Sequence, residues 1–530
     1  MGVKLEDLLK ENTGPLLEDK SKKTINLLLI IIALIIVVIF ITIGISMKRA
    51  TEMAQIERAK NLSTDIDLIS AYIKNIYSEY RETGDETLLV GVSQEGKNVN
   101  PVVLNVNGHQ EEYKYGYYYV TASQIKSMIN TLNILNENYV LNYSTGDVVN
   151  LVGAKWNGKT YYSVDDLKAI RDGKTPPSDY TIYINSAEDM KYLYEKPNGY
   201  FKLSKDIDMS TYSTGDGWKP VEEFSGKFDG RGYVIKNLII SRAAERYCGL
   251  FGQVKNGATI NNLKLENVNI SGGEYTGAIA GACGGNVSNC SVTGKVNSQS
   301  SFVGGAFGMF ENGVAQNIIV KVSVNGNENV GGFAGSVASG TVQVCSEEGN
   351  VTGIKNVGGF VGLLNPTSGI TLSQVYSNAT IISTENAGGS IGNIIINTGS
   401  VNIMDSYAKG QISSCNKVAG GFVGNMITNP GTSLKFSSVY TVADTPILCE
   451  TRGGFSGSIT SRGSNIIDGC FWERDNLLDQ ELNSIGYTNN AGIEFEYHTP
   501  SEMKNTSIFE GWDVTVWKFE NGKTPILRWQ

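Results

Sequence analysis

The chain has 530 residues, more than one ordinary hydrophobic core accommodates, so at least two regions are expected. Its 44 Lys+Arg against 53 Asp+Glu leave a net charge of −9, which argues against nucleic acid as a partner. Glycine is frequent at 61 and proline scarce at 11, so the chain is glycine-rich without being a disordered Pro/Gly tract.

Residues 1–23 read as a short, near-neutral cytoplasmic tail, with a small helix as one form it can take. Thr24 to Met47 then form an uncharged run, Thr-Ile-Asn-Leu-Leu-Leu-Ile-Ile-Ile-Ala and onward. As a helix such a run reaches about 36 Å, enough for a ~30 Å hydrocarbon core. It is longer than the apolar region of a cleaved signal peptide, the competing reading, so residues 24–47 are taken as a retained span contacting membrane lipid. Lys20, Lys22 and Lys23 before it, against Lys48 and Arg49 after it, favour the N-terminus inside and the large polar remainder outside.

Residues 48–85 continue as an amphipathic stalk. Leu62, Ile66, Ile69, Ile73, Ile76 and Tyr80 make an apolar seam at helical spacing, so one helix is expected from about 24 to 83. The seam packs either on the domain that follows or on another subunit. Residues 86–170 read as a small α+β domain, with strand-like segments at 87–92, 115–120 and 138–143 and an amphipathic helix at 123–135. Ser144-Thr-Gly-Asp147 supplies the turn of a hairpin joining 139–143 to 148–152.

Residues 171–179, Arg-Asp-Gly-Lys-Thr-Pro-Pro-Ser-Asp, read as a linker. An entry unit and N-terminal cap over 180–247 begins with a strand at 180–184 and a short helix from Ser186 to about Glu195, placed to cover the first coil edge. From 248 to 470 a glycine bracket recurs eight times. It runs from Gly249-Leu-Phe-Gly252 through Gly331-Gly-Phe-Ala-Gly335 to Gly453-Gly-Phe-Ser-Gly457, and its closing glycines step by 29, 27, 27, 27, 30, 32 and 33 residues. A near-fixed period of this length is one unit stacked on itself, a parallel solenoid, with coils rising ~4.8 Å each. Short strands are expected to alternate apolar-in and polar-out with Gly and Asn at the corners, where glycine permits positive φ and close approach. Phe251, Ile279, Phe307, Phe333, Phe360, Ile391, Phe422 and Phe455 are expected to form one internal ladder. A binding surface is sought first on the longer coils beyond Gly362. Residues 471–530 break the period and collect Trp472, Trp512, Trp517 and Trp529, either as a sugar-binding aromatic platform or as a hydrophobic cap on the final coil.

Little chemistry is apparent. His109 and His498 are the only histidines, which removes most Ser-His and Cys-His arrangements; His498 reads as a turn residue. Seven cysteines without a Cys-x-x-Cys pair argue against a disulfide framework or zinc site. Asp206 and Asp208, alternating on one strand, are the one candidate start of a calcium site, and Asp229 reads as an Asx corner. No stacked acidic cluster lies between Gly249 and Gly457, so no catalytic, cofactor-binding or metal residues are assigned and a non-enzymatic chain is expected.

Two resemblances add to this. The apolar helix, its amphipathic continuation and the Asn142-Tyr-Ser-Thr-Gly-Asp-Val-Val149 hairpin resemble type IV pilins and pseudopilins over about 24–170. The stretch Lys22-Lys-Thr-Ile-Asn-Leu-Leu-Leu-Ile30 lacks the family's processing-site Gly and its Glu. Phe228-Asp-Gly-Arg-Gly-Tyr-Val-Ile-Lys-Asn-Leu-Ile-Ile240, Phe201-Lys-Leu-Ser-Lys-Asp-Ile-Asp208, Gly511-Trp-Asp513 and Thr524-Pro-Ile-Leu527 resemble GLUG-repeat proteins over about 180–530. That resemblance implies a right-handed parallel β-solenoid on a surface-exposed protein. The expectation is therefore a mostly β chain: an anchored, extracellular solenoid that binds a glycan or protein. Pilin-like subunits are further partners, a pilus-associated tip subunit is the alternative, and a polysaccharide-active β-helix enzyme a second alternative.

Overall fold

The computed structural model describes residues 14–93, 102–106, 109–113, 116–134, 136–446, 448–475, 482–490 and 492–530; the first half of the tail reading, 1–13, lies outside them. Two compact units are present. One comprises residues 1–71, 120–140 and 148–176, the other 72–119, 141–147 and 177–530.

A single helix, α1, runs unbroken over Gly14–Thr83, beginning ten residues before the expected start. Its apolar stretch is exposed throughout and is long and apolar enough to cross a membrane. Within that stretch the Thr42 hydroxyl donates back to the carbonyls of Val38 and Ile39 at 3.0 and 2.9 Å, so it presents no unpaired donor to lipid. Farther on, Leu62, Ile66, Ile69 and Ile73 are buried, as the seam required.

In the first unit, buried Asp65 holds the seam's surroundings in place. Its carboxylate accepts hydrogen bonds from the Asn133 and Ile134 backbone amides and from the Asn133 side chain, all at 2.8 Å. Those amides are thereby withdrawn from helical bonding. The helix expected at 123–135 is correspondingly only Ala122–Met128 (α2), with a capping box between Thr121 and Gln124. Arg58 donates to the Gly153 carbonyl at 2.6 and 2.8 Å and pairs with Glu137 at 3.0 Å. Two elements went unanticipated: the hairpin Ala154–Trp156/Lys159–Tyr161, turned by Asn157 and Gly158 at positive φ, and helix α3, Val164–Arg171, capped by Ser163.

In the second unit, residues 86–88 form a 3-10 turn rather than part of a strand, because the Asp85 carboxylate captures the Thr87 amide. An unforeseen antiparallel hairpin pairs Val102–Val106 with His109–Tyr113. The turn expected at 144–147 forms: Asn142 Oδ1 accepts the Ser144 and Thr145 amides, and Gly146 N donates to the Asn142 carbonyl.

The rest of this unit is a parallel β-solenoid. Ten strands from Val221–Phe224 to Ile485–Thr488 stack in parallel as one face, and six from Val303–Gly304 to Thr451–Gly453 as another. Long strands such as Asn286–Ser298 and Gly369–Ser383 build the remaining wall, which opens with Thr181–Ile184 paired to Tyr200–Leu203. The entry helix is a 3-10 turn followed by Tyr192–Glu195, and Met190 and Leu193 reach the solenoid core from it.

The bracket residues form two ladders rather than one. Register places Phe251, Ala280, Phe307, Ala334, Val361 and Ile391 in one row. Ile279, Phe333, Phe360, Phe422 and Phe455 belong to the row beside it, where Phe333 and Phe360 stack at 4.6 Å. The cause is that the closing glycines align while the coils place their large ring either one or two residues before them. Those bracket glycines do not adopt positive φ. They serve close approach: a Cβ on Gly308 would lie 2.5 Å from the Tyr275 carbonyl carbon.

Positive φ falls elsewhere, on corner glycines such as Gly257, Gly313, Gly340, Gly399 and Gly431, as expected, and on side-chain-bearing residues. One row is Asn262, Asn289, Asn317, Val344, Gln374, Asp405 and Ser438, at φ of 49–55°. It bends the long wall once per coil, as bulges do. A second corner begins with Tyr247, Tyr275 and Phe302, whose rings stack at 4.9 and 4.8 Å, and passes to Asn329 and Asn356, which share an amide hydrogen bond of 2.9 Å. Stacking and amide bonding offset the steric cost of the left-handed backbone there.

The C-terminal region divides in two. Trp472, Leu482, Ile485, Ile493 and Phe495 close the last coil, with Phe495 stacked on Phe455 at 3.8 Å. Residues 499–530 do not cap the end but run back as a strap over a flank. Met503, Phe509, Trp512, Trp517 and Leu527 pack on the stacked Tyr407 and Tyr440 and on Phe471, the next residue in that row. Trp517 Nε1 donates to Asp405 Oδ1 at 3.1 Å, and Trp529 Nε1 to the Gln374 carbonyl at 3.2 Å. Trp472, Trp512 and Trp517 are buried, so they are core and not an exposed platform. The flank attracts the strap because its outward positions here are Tyr and Phe, where earlier coils carry Lys264, Ser291 and Ile319.

Candidate functional site

The residues singled out in sequence are structural. The strand is only Ile207–Asp208, so Asp206 and Asp208 do not alternate along one. Asp206 accepts the Val234 amide of the next coil at 3.0 Å. Asp208 accepts Asn237 Nδ2 and the Ser210 amide, which hold its pKa down at about 2, and pairs with Lys236 at 3.6 Å. Among the described residues no group of three or more His, Cys, Asp or Glu is placed to hold a metal. Asp229 makes the Asx corner, accepting Arg231 N at 2.9 Å. His498 lies in the strand Glu496–His498 rather than a turn, 3.6 Å from Glu496. The seven cysteines are free thiols, six of them buried.

The entry coils carry a buried charge cluster instead. Glu111, on the His109–Tyr113 strand, sits 3.9 Å from Lys202 and 3.6 Å from Arg231, and accepts the hydroxyls of Tyr113 and Tyr183 at 2.9 Å. Burial works against the carboxylate, but the two cations and two hydroxyls outweigh it and hold the Glu111 pKa below its usual range. Against its own desolvation, Arg231 is raised by Glu111 first and then by Tyr113, Asp229 and Tyr233. Tyr113 is pushed well up by burial and then by Glu111. An ion cluster so enclosed fixes one arrangement of the hairpin on the first coils.

Beside this cluster the turn at 142–147 and Tyr117 overhang the solenoid wall, enclosing a cleft of about 360 Å³, within the usual range for small-ligand sites. Its floor is the left-handed row: Asn317 Nδ2 donates to Asn289 Oδ1 at 2.9 Å, Asn289 Nδ2 to Asn262 Oδ1 at 3.3 Å, and Asn262 Nδ2 to Asp229 at 3.0 Å. Tyr117 Oη donates to Asp147 Oδ2 at 3.0 Å on the overhanging side, and Lys264 and Ile319 lie exposed on the floor. A second cavity of about 440 Å³ on the other side of the turn is lined by Lys74 and Arg81. The cavity against the amide row thus lies on the first coils and not on the longer ones beyond Gly362. It is assembled from six chain segments, so no local motif announces it; the one available signal was the Asn recurring at 262, 289 and 317.

No family model matches the chain. Over 166 residues it is 36% identical to halomucin of Haloquadratum walsbyi, covering 29% of this chain and 2% of halomucin. Over 144 residues it is 31% identical to a candidate Gly-rich membrane protein of Evansella cellulosilytica, covering 25% of this chain and 17% of that protein. The chain therefore spans only a small part of the length of the curated relatives it matches. Among solved structures, a candidate immunoglobulin A1 protease of Bacteroides ovatus aligns over 66% of this chain and 93% of its own, at 18% identity and a TM-score of 0.36. An IgA1 protease aligns over 80% of this chain and 32% of its own, at 15% identity and the same TM-score of 0.36. The chain is thus similar in sequence to halomucin and to a protein named for the membrane, and it joins a parallel β-solenoid to a helix fit for membrane anchoring.

Proposed function

We propose that this is a single-pass cell-surface protein, N-terminus cytoplasmic, that displays a GLUG-type solenoid outside the cell for adhesion to a glycan or protein. The observation that carries the reading is the continuity of α1: one helix leads from an exposed apolar stretch into a buried seam without a break between Gly14 and Thr83. A rod of stacked coils on such a tether suits presentation. A binding role fits the cleft better than hydrolysis, because a glycosidase needs two carboxyls with one free to act as nucleophile or base, and the carboxylate that acts on Asp147, Asp229, is taken up by the Arg231 amide and Asn262 Nδ2. The test is extraction: the full chain stays in membranes through alkaline carbonate and leaves with detergent. Replacing Ile35 and Ile36 by Lys releases it, and release of the unaltered chain by carbonate would overturn the anchor.

The seam and the Asn142-centred turn favour a second reading, a pilus-associated subunit with the solenoid at its tip. N-terminal mass analysis separates the two. A start at Met1 or Gly2 fits the simple anchor, and a mature start at Thr24–Asn26 fits the pilin-like subunit.

A further inference from the structure

We infer that the cleft beneath the 142–147 turn binds an uncharged linear oligosaccharide lying along the solenoid axis; this rests on the surface-display reading and names the ligand for it. The floor is periodic. Asn262, Asn289 and Asn317 stand one coil apart, hence about 4.8 Å, a rise close to that of successive rings in an extended glycan. Each side-chain amide has two donors and two acceptor lone pairs; the ladder uses one of each at Asn262 and Asn289 and one donor at Asn317. The remaining donors and lone pairs belong to residues that line the cleft, and adjacent donors and acceptors are what vicinal hydroxyls require. Asn317 ends the ladder because Val344 follows it in the row, so its Oδ1 is not taken up by another amide.

The overhang supplies the complementary side. The Asp147 carboxylate accepts from hydroxyls, and the Tyr117 hydroxyl that donates to it fixes its position. The Tyr117 ring and exposed Ile319 give apolar surface for the C–H face of a sugar ring. Charge selects against acids. Within this cleft Arg231 is already matched by Glu111, which leaves Lys264 as the one lysine on the floor for an anionic ligand that must also sit beside the Asp147 carboxylate. Two further cations, Lys74 and Arg81, line the neighbouring cavity, and Lys74 acts on Asp147 from there.

The test uses the full chain, purified in detergent, titrated calorimetrically with chitotriose, cellotriose, mannotriose and maltotriose, and with polygalacturonate trimer as the anionic arm. The expected result is saturable binding of at least one neutral trimer, weakened about tenfold by Asp147→Asn, the loss of a charge-assisted acceptor. Asn317→Ala, on the opposite side of the cleft, weakens it comparably, and circular dichroism confirms that both variants keep their β signal. Binding of no neutral trimer, binding indifferent to both substitutions, or preference for the anionic trimer each overturns the proposal. Because the titration is done in detergent, a negative result leaves surface display standing, and failure of surface display leaves a positive titration standing.

Discussion

Glu347 should be a liability whose removal stabilises the protein, increasingly so as pH rises. It occupies an inward row that reads Val292, Val320, Glu347, Ser377 and Ala408 in successive coils. The side chain is completely buried, its Oε2 accepts only Ser377 Oγ at 3.3 Å, and its Oε1 has no partner. It fits because Gly332 leaves room: a Cβ there would lie 2.3 Å from Glu347 Cδ. Burial pushes its pKa well above the ordinary 4.5. The folded pKa exceeds the unfolded one, so the group's contribution is most favourable below pH 4.5 and declines as pH rises toward the folded pKa. Over that window the wild type loses about 1.4 kcal/mol per pH unit relative to a variant that does not titrate. Below it, the unpartnered carboxyl oxygen leaves a residual deficit of about 1–3 kcal/mol. Glu347→Met keeps the volume without the polar atoms. Denaturant unfolding of both proteins at pH 4.5, 5.5 and 6.5, followed by Trp fluorescence, should show the variant ahead at every pH with a gap that widens as pH rises, by at most about 1.4 kcal/mol per unit. A gap independent of pH would refute the titration, and a less stable variant would refute the burial.

Three further outcomes follow from the same geometry. Val344 is a β-branched residue at φ 55° in a row otherwise holding Asn, Gln, Asp and Ser, so Val344→Asn should raise the unfolding free energy by about 1 kcal/mol; a loss would contradict the strain. Trp517→Ala should cost the strap about 3–5 kcal/mol and expose 499–530 to limited proteolysis, whereas an unchanged digestion pattern would show that the strap docks without it. The Cys415 and Cys449 thiols stand one coil apart and act on each other, which holds Cys415 up and Cys449 down in pKa, while each donates to backbone carbonyls. Dibromobimane, which bridges two thiols, should link that pair in preference to all others, and a dominant link between any other pair would contradict the coil register.

The glycine period made the solenoid legible because each coil repeats one steric demand, the close passage seen at Gly308 against Tyr275. Two things about those coils were not legible. Splitting of the bracket residues into two rows depends on alignment at the closing glycine, which the opening glycines obscure. The left-handed corners at Tyr247, Tyr275 and Phe302 carry residues that ordinarily avoid that backbone, and only the stack of rings explains them. The gathering of tryptophans past 470 was visible, but not the surface it would find, since that surface is a tyrosine row built from separate coils. The cleft was least visible of all: Tyr117, Asp147 and Asn317 have no spacing in common, and the chain unites them only after the 142–147 turn is laid over the first coils.

The most direct test of display by a membrane tether is protease shaving of intact cells followed by peptide mass spectrometry. The account predicts that peptides from 180–530 are released or clipped from outside, while the segment before Thr24 stays protected until the cells are lysed. Full protection of the solenoid in intact cells, with cleavage appearing only after lysis, would contradict it.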